Sequence, residues 1–398
     1  MDKYKYVIIG GGMTGSAAVS GIRKNDLEGT IAMFTKEEFG PYNRPPLTKG
    51  LWSGMQITDI MRPTDIEKID LFLNTPITQV EPIQKYVVTH AGKQFTYEKL
   101  LLATGGYPVH LQGTPEDVIY LRTRADYEKV RALADAKCEF CVIGGGFIGS
   151  EIAAALNKHD CQVTMIFPET GLSGRLLPND LSAFLNQYYT EKGVNILPEH
   201  FVDSIQKSEE KYIVHYQHVA THSPAEKTFD SVIVGIGLKP DLSLAESAGI
   251  ETENGIIVDD FLQTSRSDIF AAGDVASFYN YGLGKQTRVE HEDNANKMGM
   301  RAGMNMSGEM EKYDHFPFFY SDLFDLGYEA LGEFDKEYQI VQDWINPFRK
   351  GTLYYLQDEK IRGLIFWNLW GNVDRGREII QTGKAYKINE LMGLFKDD

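Results

Sequence analysis

The stretch Tyr6–Gly15, YVIIGGGMTG, decides how the rest of the chain is read. Apolar Tyr6, Val7, Ile8 and Ile9 run into Gly10, Gly12 and Gly15, the pattern of a buried parallel strand that turns sharply into a helix. Each glycine has its own reason. Gly10 permits the tight turn, Gly12 lets backbone approach a pyrophosphate with no Cβ in the way, and Gly15 lets the helix pack closely on the strand. The helix, predicted over Ser16 to Arg23, turns unpaired N–H groups and the positive end of its dipole toward the phosphates, with Met13 and Thr14 in the contacting turn.

The chain repeats this arrangement. Cys141–Glu151 reads CVIGGGFIGSE, with Gly144, Gly146 and Gly149 at the same spacing, Phe147 and Ile148 between them, and a helix predicted over Ser150 to Lys158. Two such loops imply two dinucleotides, an internal duplication, or both.

Composition bounds the function. A chain of 398 residues has room for two or three domains, and 42% hydrophobic with 24% charged residues is ordinary for a globular protein. No run approaches the ~18 apolar residues of a membrane span. The first strand begins so near Met1 that no targeting peptide is expected ahead of it, which makes the cytoplasm the expected compartment. A net charge of −16 opposes general attraction to nucleic acid or anionic membranes. The three cysteines, Cys138, Cys141 and Cys161, are too few for a disulfide framework. Cys138 and Cys141 form a CxxC, but it runs into a strand, where positions three apart face opposite ways, so a buried structural role is expected.

Further along, Gly29–Thr35 reads as the second strand of the first sheet, ending in Lys36 and Glu37, where an acid would hold the cofactor ribose. The loop Gly40–Trp52, GPYNRPPLTKGLW, is stiffened by three prolines and carries Arg44 and Lys49. Beside a pyrophosphate, Arg44 would make bidentate charge-assisted hydrogen bonds. In the second half, the strand Gln162–Phe167 is followed by Glu169, 25 positions after Gly144, where a carboxylate accepts from both ribose hydroxyls and repels a 2′-phosphate. That favours NADH over NADPH, with Arg175 nearby as the complication, since it could meet such a phosphate. VIVGIGLKP, Val232–Pro240, supplies an exit strand and the turn at Gly237.

The two glycine loops, PYNRPPLTK, LLLATGG at Leu100–Gly106 and IFAAGDVA at Ile269–Ala276 together resemble FAD-dependent pyridine nucleotide-disulfide oxidoreductases, in the branch of apoptosis-inducing factor and the ferredoxin reductases. The resemblance implies an α/β fold with two Rossmann-like nucleotide-binding domains, for FAD and NAD, plus a C-terminal α+β domain with an antiparallel sheet. The expected FAD domain spans 1–120 and 241–311, the NAD domain 121–240 and the C-terminal domain 312–398. The implied FAD contacts include Val80 at the adenine, Ala103, Thr104 and Gly105 after the return strand, and Gly273 with Asp274 at the ribityl chain. Asp274 also suits a helix cap. Lys49 is implied near the flavin N5, paired with Glu151, which is read in the first turn of its helix. Glu290 and His291, opening a helix read over Arg288–Gly308, are implied near the flavin and nicotinamide rings, and Tyr320 stands where relatives have tryptophan.

The aromatic-rich end of the chain resembles the C-terminal domain of apoptosis-inducing factor in FYSDL, GLIFWNLW and REIIQTGK, although Phe334–Leu356 is too short for the insertion of the animal members. None of the animal protein's DNA or death-signalling activity is carried over. Lys36 departs from the acid of relatives, at a cost of about 1–3 kcal/mol, and leaves the FAD ribose to Glu37 or to water. Residues 36–54 contain no cysteine, which excludes thiol chemistry at the flavin. The expected activity is hydride transfer from NADH to FAD, with electrons passed to an unidentified acceptor such as a quinone, oxygen or a redox protein. The alternatives are a ferredoxin or rubredoxin reductase, and an NADH-responsive interaction protein with slow turnover. Relatives dimerise, so a homodimer is one expected assembly.

Overall fold

A computed structural model of the chain describes residues 2–63 and 68–395, so the last three residues of the expected C-terminal domain lie outside the described ones. The described residues fall into two compact units. The first draws on Met1–Arg44, Gln56–Tyr107 and Lys239–Phe319, the second on Pro45–Met55, Pro108–Leu238 and Tyr320–Asp398.

In the first unit the strand Asp2–Ile9 pairs in parallel with Ile31–Phe34 on one side and Gln94–Leu102 on the other, so that Ile9 lies level with Phe34 and Leu102. Asp70–Phe72 extends the sheet beyond Ile31–Phe34, Ile269–Ala271 pairs beside Leu100–Leu102, and the antiparallel strands Tyr86–Thr89 and Ile77–Glu81 complete it. The central strands are apolar and buried at their C-terminal ends, residues 6–9 and 100–102, and along Ile31–Phe34, where both faces are covered. The helices Met13–Asn25 and Glu292–Met306 pack on each other through small residues. A Cβ at Gly303 would fall 2.0 Å from the Ala18 carbonyl oxygen, and one at Gly299 2.4 Å from that of Thr14.

The second unit holds a four-stranded parallel sheet in the order Asn195–Leu197, Val163–Ile166, Phe140–Ile143, Ser231–Val234, with a three-stranded antiparallel meander of His200–Ser208, Lys211–His218 and Pro224–Phe229. A five-stranded antiparallel sheet follows near the C-terminus, ordered Phe318–Leu323, Leu326–Gly332, Lys360–Trp367, Lys350–Gln357, Gln339–Asn346. The α/β class with a C-terminal antiparallel sheet is therefore as expected from the sequence. Among the described residues no helix is long and apolar enough to cross a membrane.

Several local readings are corrected. The first helix begins at Met13 and not Ser16, and its counterpart begins at Phe147 and not Ser150, because each opens directly at the second glycine, which adopts an extended N-cap conformation. Glu151 therefore lies one turn further in than expected, past the orphan N–H groups that a first-turn acid would meet. Asp274 sits in a short 3-10 turn, Gly273–Val275, that leads into a strand, Ala276–Asn280, and not a helix. The hairpin of Ala276–Asn280 with Lys285–Thr287 precedes the Glu292–Met306 helix, whose N-cap is His291. At the C-terminus Ile388–Leu391 forms a short α-helix. Cys141 is buried in its strand, all three cysteines are free, and burial pushes the Cys141 thiol far above its ordinary range.

The helix contact gives a direct test. Gly303→Ala drives a methyl into a backbone carbonyl that cannot swing aside, and is expected to destabilise the fold by about 1–3 kcal/mol in urea unfolding. A midpoint equal to that of the unmodified protein would mean that the helices stand further apart than the Gly303–Ala18 contact requires.

Candidate functional site

The two glycine loops are built alike down to single hydrogen bonds. Gly10 N–H donates to Phe34 O at 2.9 Å and Gly144 N–H to Ile166 O at 2.9 Å; Ser16 N–H donates to Gly12 O at 3.0 Å and Ser150 N–H to Gly146 O at 2.9 Å. In both, the first glycine has positive φ, +122° at Gly10 and +111° at Gly144, and faces a carbonyl. A Cβ would lie 2.0 Å from Ala103 O at Gly10 and 2.3 Å from Gly235 O at Gly144. At the third glycine a Cβ would meet the first, 2.1 Å from Gly10 O at Gly15 and 2.0 Å from Gly144 O at Gly149. Only the middle glycine opens outward: a Cβ at Gly146 meets nothing within 4 Å, and one at Gly12 meets only Arg44 Nη2, at 3.9 Å. First and third glycines are thus required by the fold, and the middle one clears space in front of a helix N-terminus.

The loops differ in cover. Met13 and Thr14 are buried, whereas the corresponding Phe147 and Ile148 are 43% and 40% exposed. Arg44 N–H donates to Met13 Sδ at 3.4 Å, Arg62 donates to Met13 O at 3.2 Å, and Gly273 comes so close that a Cβ there would sit 2.2 Å from Thr14 Oγ1. The Arg44 guanidinium beside Gly12 is held by Glu37, Nη2 to Oε1 at 2.5 Å, while Tyr42 Oη donates to the other oxygen of Glu37 at 2.5 Å. Glu37 therefore has both oxygens engaged. Lys36 is exposed and stands 4.0 Å from Asp241.

Other expected residues of the first unit surround its loop or its sheet edge. Val80 is buried in Ile77–Glu81. Ala103 carries the carbonyl against Gly10, Thr104 Oγ1 donates to Asp241 O at 2.9 Å, and Gly105 O accepts from Asp241 N–H at 3.0 Å. The Asp274 carbonyl accepts from Arg288, which also pairs with exposed Glu290 at 2.8 Å. His291 lies against Phe319 at 4.7 Å between ring centroids, and its Nδ1 is sealed from solvent without a hydrogen-bond partner. Burial pushes this imidazole down to about 4, against the opposing pull of Asp274 and Asp293.

In the second unit, Gly237 turns with φ +124° and its carbonyl accepts from Val109 N–H at 2.9 Å. Glu169 pairs with Arg175, Nε to Oε1 at 2.6 Å, the arginine being 80% exposed. Lys49 pairs with buried Glu151, and the Tyr320 ring lies 5.3 Å from Lys49 Nζ. Two residues absent from the sequence reading complete this cluster: Thr48 Oγ1 donates to Glu151 Oε2 at 2.6 Å and Ser321 Oγ to Oε1 at 2.7 Å. Their only sequence signal is adjacency, Thr48 to Lys49 and Ser321 to Tyr320. Arg62 is also unforeseen, anchored by Asn43 Oδ1 at 2.8 Å and by Asn296.

The chain matches the family model described as pyridine nucleotide-disulphide oxidoreductase over residues 4–299, and it belongs to that family. It is 32% identical to the mitochondrial apoptosis-inducing factor 1 of Dictyostelium discoideum over 98% of this chain and 81% of that protein. It is also 32% identical to the 5,5′-dehydrodivanillate O-demethylase ferredoxin reductase subunit of a Sphingobium species, over 98% of this chain and 96% of that one. A solved covalent complex of putidaredoxin reductase with putidaredoxin aligns at a TM-score of 0.88 and 27% identity, covering 98% of this chain and 95% of that one. The chain is accordingly an FAD-dependent oxidoreductase that works with a pyridine nucleotide. The residues fit such groups: each loop leaves room at its middle glycine for a pyrophosphate, and the first also brings a guanidinium to it.

His291 supplies a test by pH. Its ring stays neutral in the folded protein down to about pH 4, whereas the unfolded chain takes up the proton near 6.5. Between those values the unfolded state binds more protons, so this group lowers stability as pH falls from 6.5 to 4. Melting temperatures of the unmodified protein should drop more steeply over that window than those of His291→Phe. Parallel curves would show that the ring is not held neutral.

Proposed function

We propose that the chain is an NADH oxidoreductase in which FAD occupies the first glycine loop, NADH the second, and electrons pass onward to a separate acceptor. The observation that carries this reading is the pair of middle glycines, Gly12 and Gly146, left open where the first and third glycines of each loop are closed against backbone. The difference in cover supports the assignment. A loop roofed by Arg44, Arg62 and Gly273 suits a cofactor that stays, and a loop with Phe147 and Ile148 exposed suits a nucleotide that exchanges at every turnover. In this reading 1–120 with 241–311 serves FAD, 121–240 serves NADH, and 312–398 forms the third domain.

Bound against Gly12 and Arg44, FAD would supply the redox chemistry, a hydride acceptor for the nicotinamide and an electron source for the acceptor. The chain's residues bind and orient. Arg44 neutralises the pyrophosphate, and Glu37 acts through Arg44 by fixing its guanidinium. Asp274 accepts from the ribityl hydroxyls. His291, neutral and with an unpartnered Nδ1, positions the rings; a base is not needed, since hydride transfer removes no proton from carbon. Glu169 accepts from the nucleotide's ribose and opposes a 2′-phosphate, while exposed Arg175 is free to swing from the pair. Lys49 stabilises the negative charge of the reduced flavin. The three free cysteines suit a reducing compartment such as the cytoplasm.

A second reading concerns the acceptor. Two of the proteins similar to this chain are named as reductases of ferredoxin or putidaredoxin, which favours a small redox protein as partner. A chain at −16 would repel an acidic partner unless a local basic patch receives it, so turnover with such a protein would fall steeply with added salt.

Anaerobic titration tests the main reading. NADH should bleach the flavin absorbance and leave a long-wavelength charge-transfer band, with NADPH weaker by about tenfold or more. Preference for NADPH would remove the role given to Glu169. Lys49→Ala should retain FAD and slow its reduction by NADH more than about tenfold, or about 1.4 kcal/mol in the barrier. An unchanged rate would withdraw the charge-stabilising role from Lys49.

A further inference from the structure

The Glu151 carboxylate is only 4% exposed, in the interior of its helix and away from the helix N-terminus. A buried carboxylate has about four acceptor sites to satisfy, and a single ammonium partner leaves most of them empty. Desolvation then works against the ion pair. Here each oxygen has its own hydroxyl donor, Thr48 at 2.6 Å on Oε2 and Ser321 at 2.7 Å on Oε1, and both donors are themselves buried, at 8% and 1%. Thr48 also approaches Pro45 O, but at 3.3 Å, so its single proton serves the carboxylate. The two hydroxyls reach Glu151 from segments 103 and 170 positions away in sequence. Thr48 is the chain neighbour of the lysine itself, and Ser321 that of Tyr320, whose ring lies 5.3 Å from Lys49 Nζ.

We propose that Thr48 and Ser321 are positioning residues for hydride transfer: their hydroxyls clamp the two oxygens of Glu151, and the clamped carboxylate aims the Lys49 ammonium. Neither hydroxyl touches the cofactor in this role; both act through Glu151. Because donors arrive on both oxygens, the carboxylate cannot rotate about its Cγ–Cδ bond without breaking one, which fixes the direction of its remaining acceptor sites. Val at 48 keeps the shape and loses the donor; Ser at 48 keeps the donor and loses a methyl. The proposal rests on the reading that Lys49 acts on the flavin, and its test separates the two.

The experiment uses the FAD-loaded full chain and the variants Thr48→Val, Thr48→Ser, Ser321→Ala and Lys49→Ala. Three quantities are read: the limiting rate of flavin reduction by NADH, the apparent Kd for NADH, and the midpoint potential of the bound flavin. Thr48→Val and Ser321→Ala should each lower the limiting rate about tenfold and leave the Kd within about twofold. Each should also lower the midpoint potential, by about 30 mV for a tenfold effect on a two-electron couple. Thr48→Ser should restore rate and potential together, which a purely structural role would not require. If Thr48→Val and Ser321→Ala both match the unmodified protein while Lys49→Ala is slow, the clamp is overturned and the reading of Lys49 stands. If Lys49→Ala is also unaffected, that reading falls and the clamp with it. Should Thr48→Val lose FAD on purification, Ser321→Ala decides the matter through the other oxygen.

Discussion

Four backbone carbonyls stand where side chains would begin. The oxygens of Ala103, Gly10, Gly235 and Gly144 lie within 2.0–2.3 Å of the positions a Cβ would take at Gly10, Gly15, Gly144 and Gly149. This contact of backbone on backbone is the constraint from which the rest follows. It holds the end of the Asp2–Ile9 strand against the end of Gln94–Leu102, and that of Phe140–Ile143 against Ser231–Val234, and each helix must start directly at its loop. Only with those three elements in contact does the middle glycine face outward at a helix N-terminus, where phosphate is favoured by oriented N–H groups. Gly12 and Gly146 and the helix starts at Met13 and Phe147 take their positions from this contact.

Such a constraint is legible in sequence because it is local and absolute. Only glycine satisfies it, at fixed spacing, after a strand that announces itself by unbroken apolar residues. The class of fold and both loops could therefore be read directly. What escaped is of a different kind. The pairing of Lys49 with Glu151 spans 102 positions and came from family resemblance, not from any pattern in the residues. Thr48 and Ser321 had no signal beyond adjacency to Lys49 and Tyr320, since a hydroxyl on a buried acid has neither periodicity nor a required spacing. Helix starts were read too late because the last glycine of each motif looks like a boundary, while the N-cap is the glycine before it. The hairpin Ala276–Asn280 with Lys285–Thr287 hid in a polar stretch whose alternation is weak, and Asp274 was accordingly given a helix it does not cap.

Burial separates two ion pairs, Lys49 with Glu151 and Arg175 with Glu169. Lys49 and Glu151 are 14% and 4% exposed, and a pair so placed loses several kcal/mol, about 3–5, when one partner is removed, because the other is stranded. Arg175 is 80% exposed over Glu169, where an ion pair is worth about 0–1 kcal/mol and yields readily to a competing ligand. The first pair can therefore act as a fixed charge arrangement, and the second as an adjustable one.

The unequal cover of the two loops also bears on how this protein can change. Met13 and Thr14 are wedged among Arg44, Arg62 and Gly273, so a substitution there disturbs packing before it alters any ligand. Phe147 and Ile148 occupy the same places in the other loop and are 43% and 40% exposed, so new side chains there cost less in stability. Sequence change among relatives of this fold should accordingly gather at Phe147 and Ile148, while Met13 and Thr14 stay nearly constant.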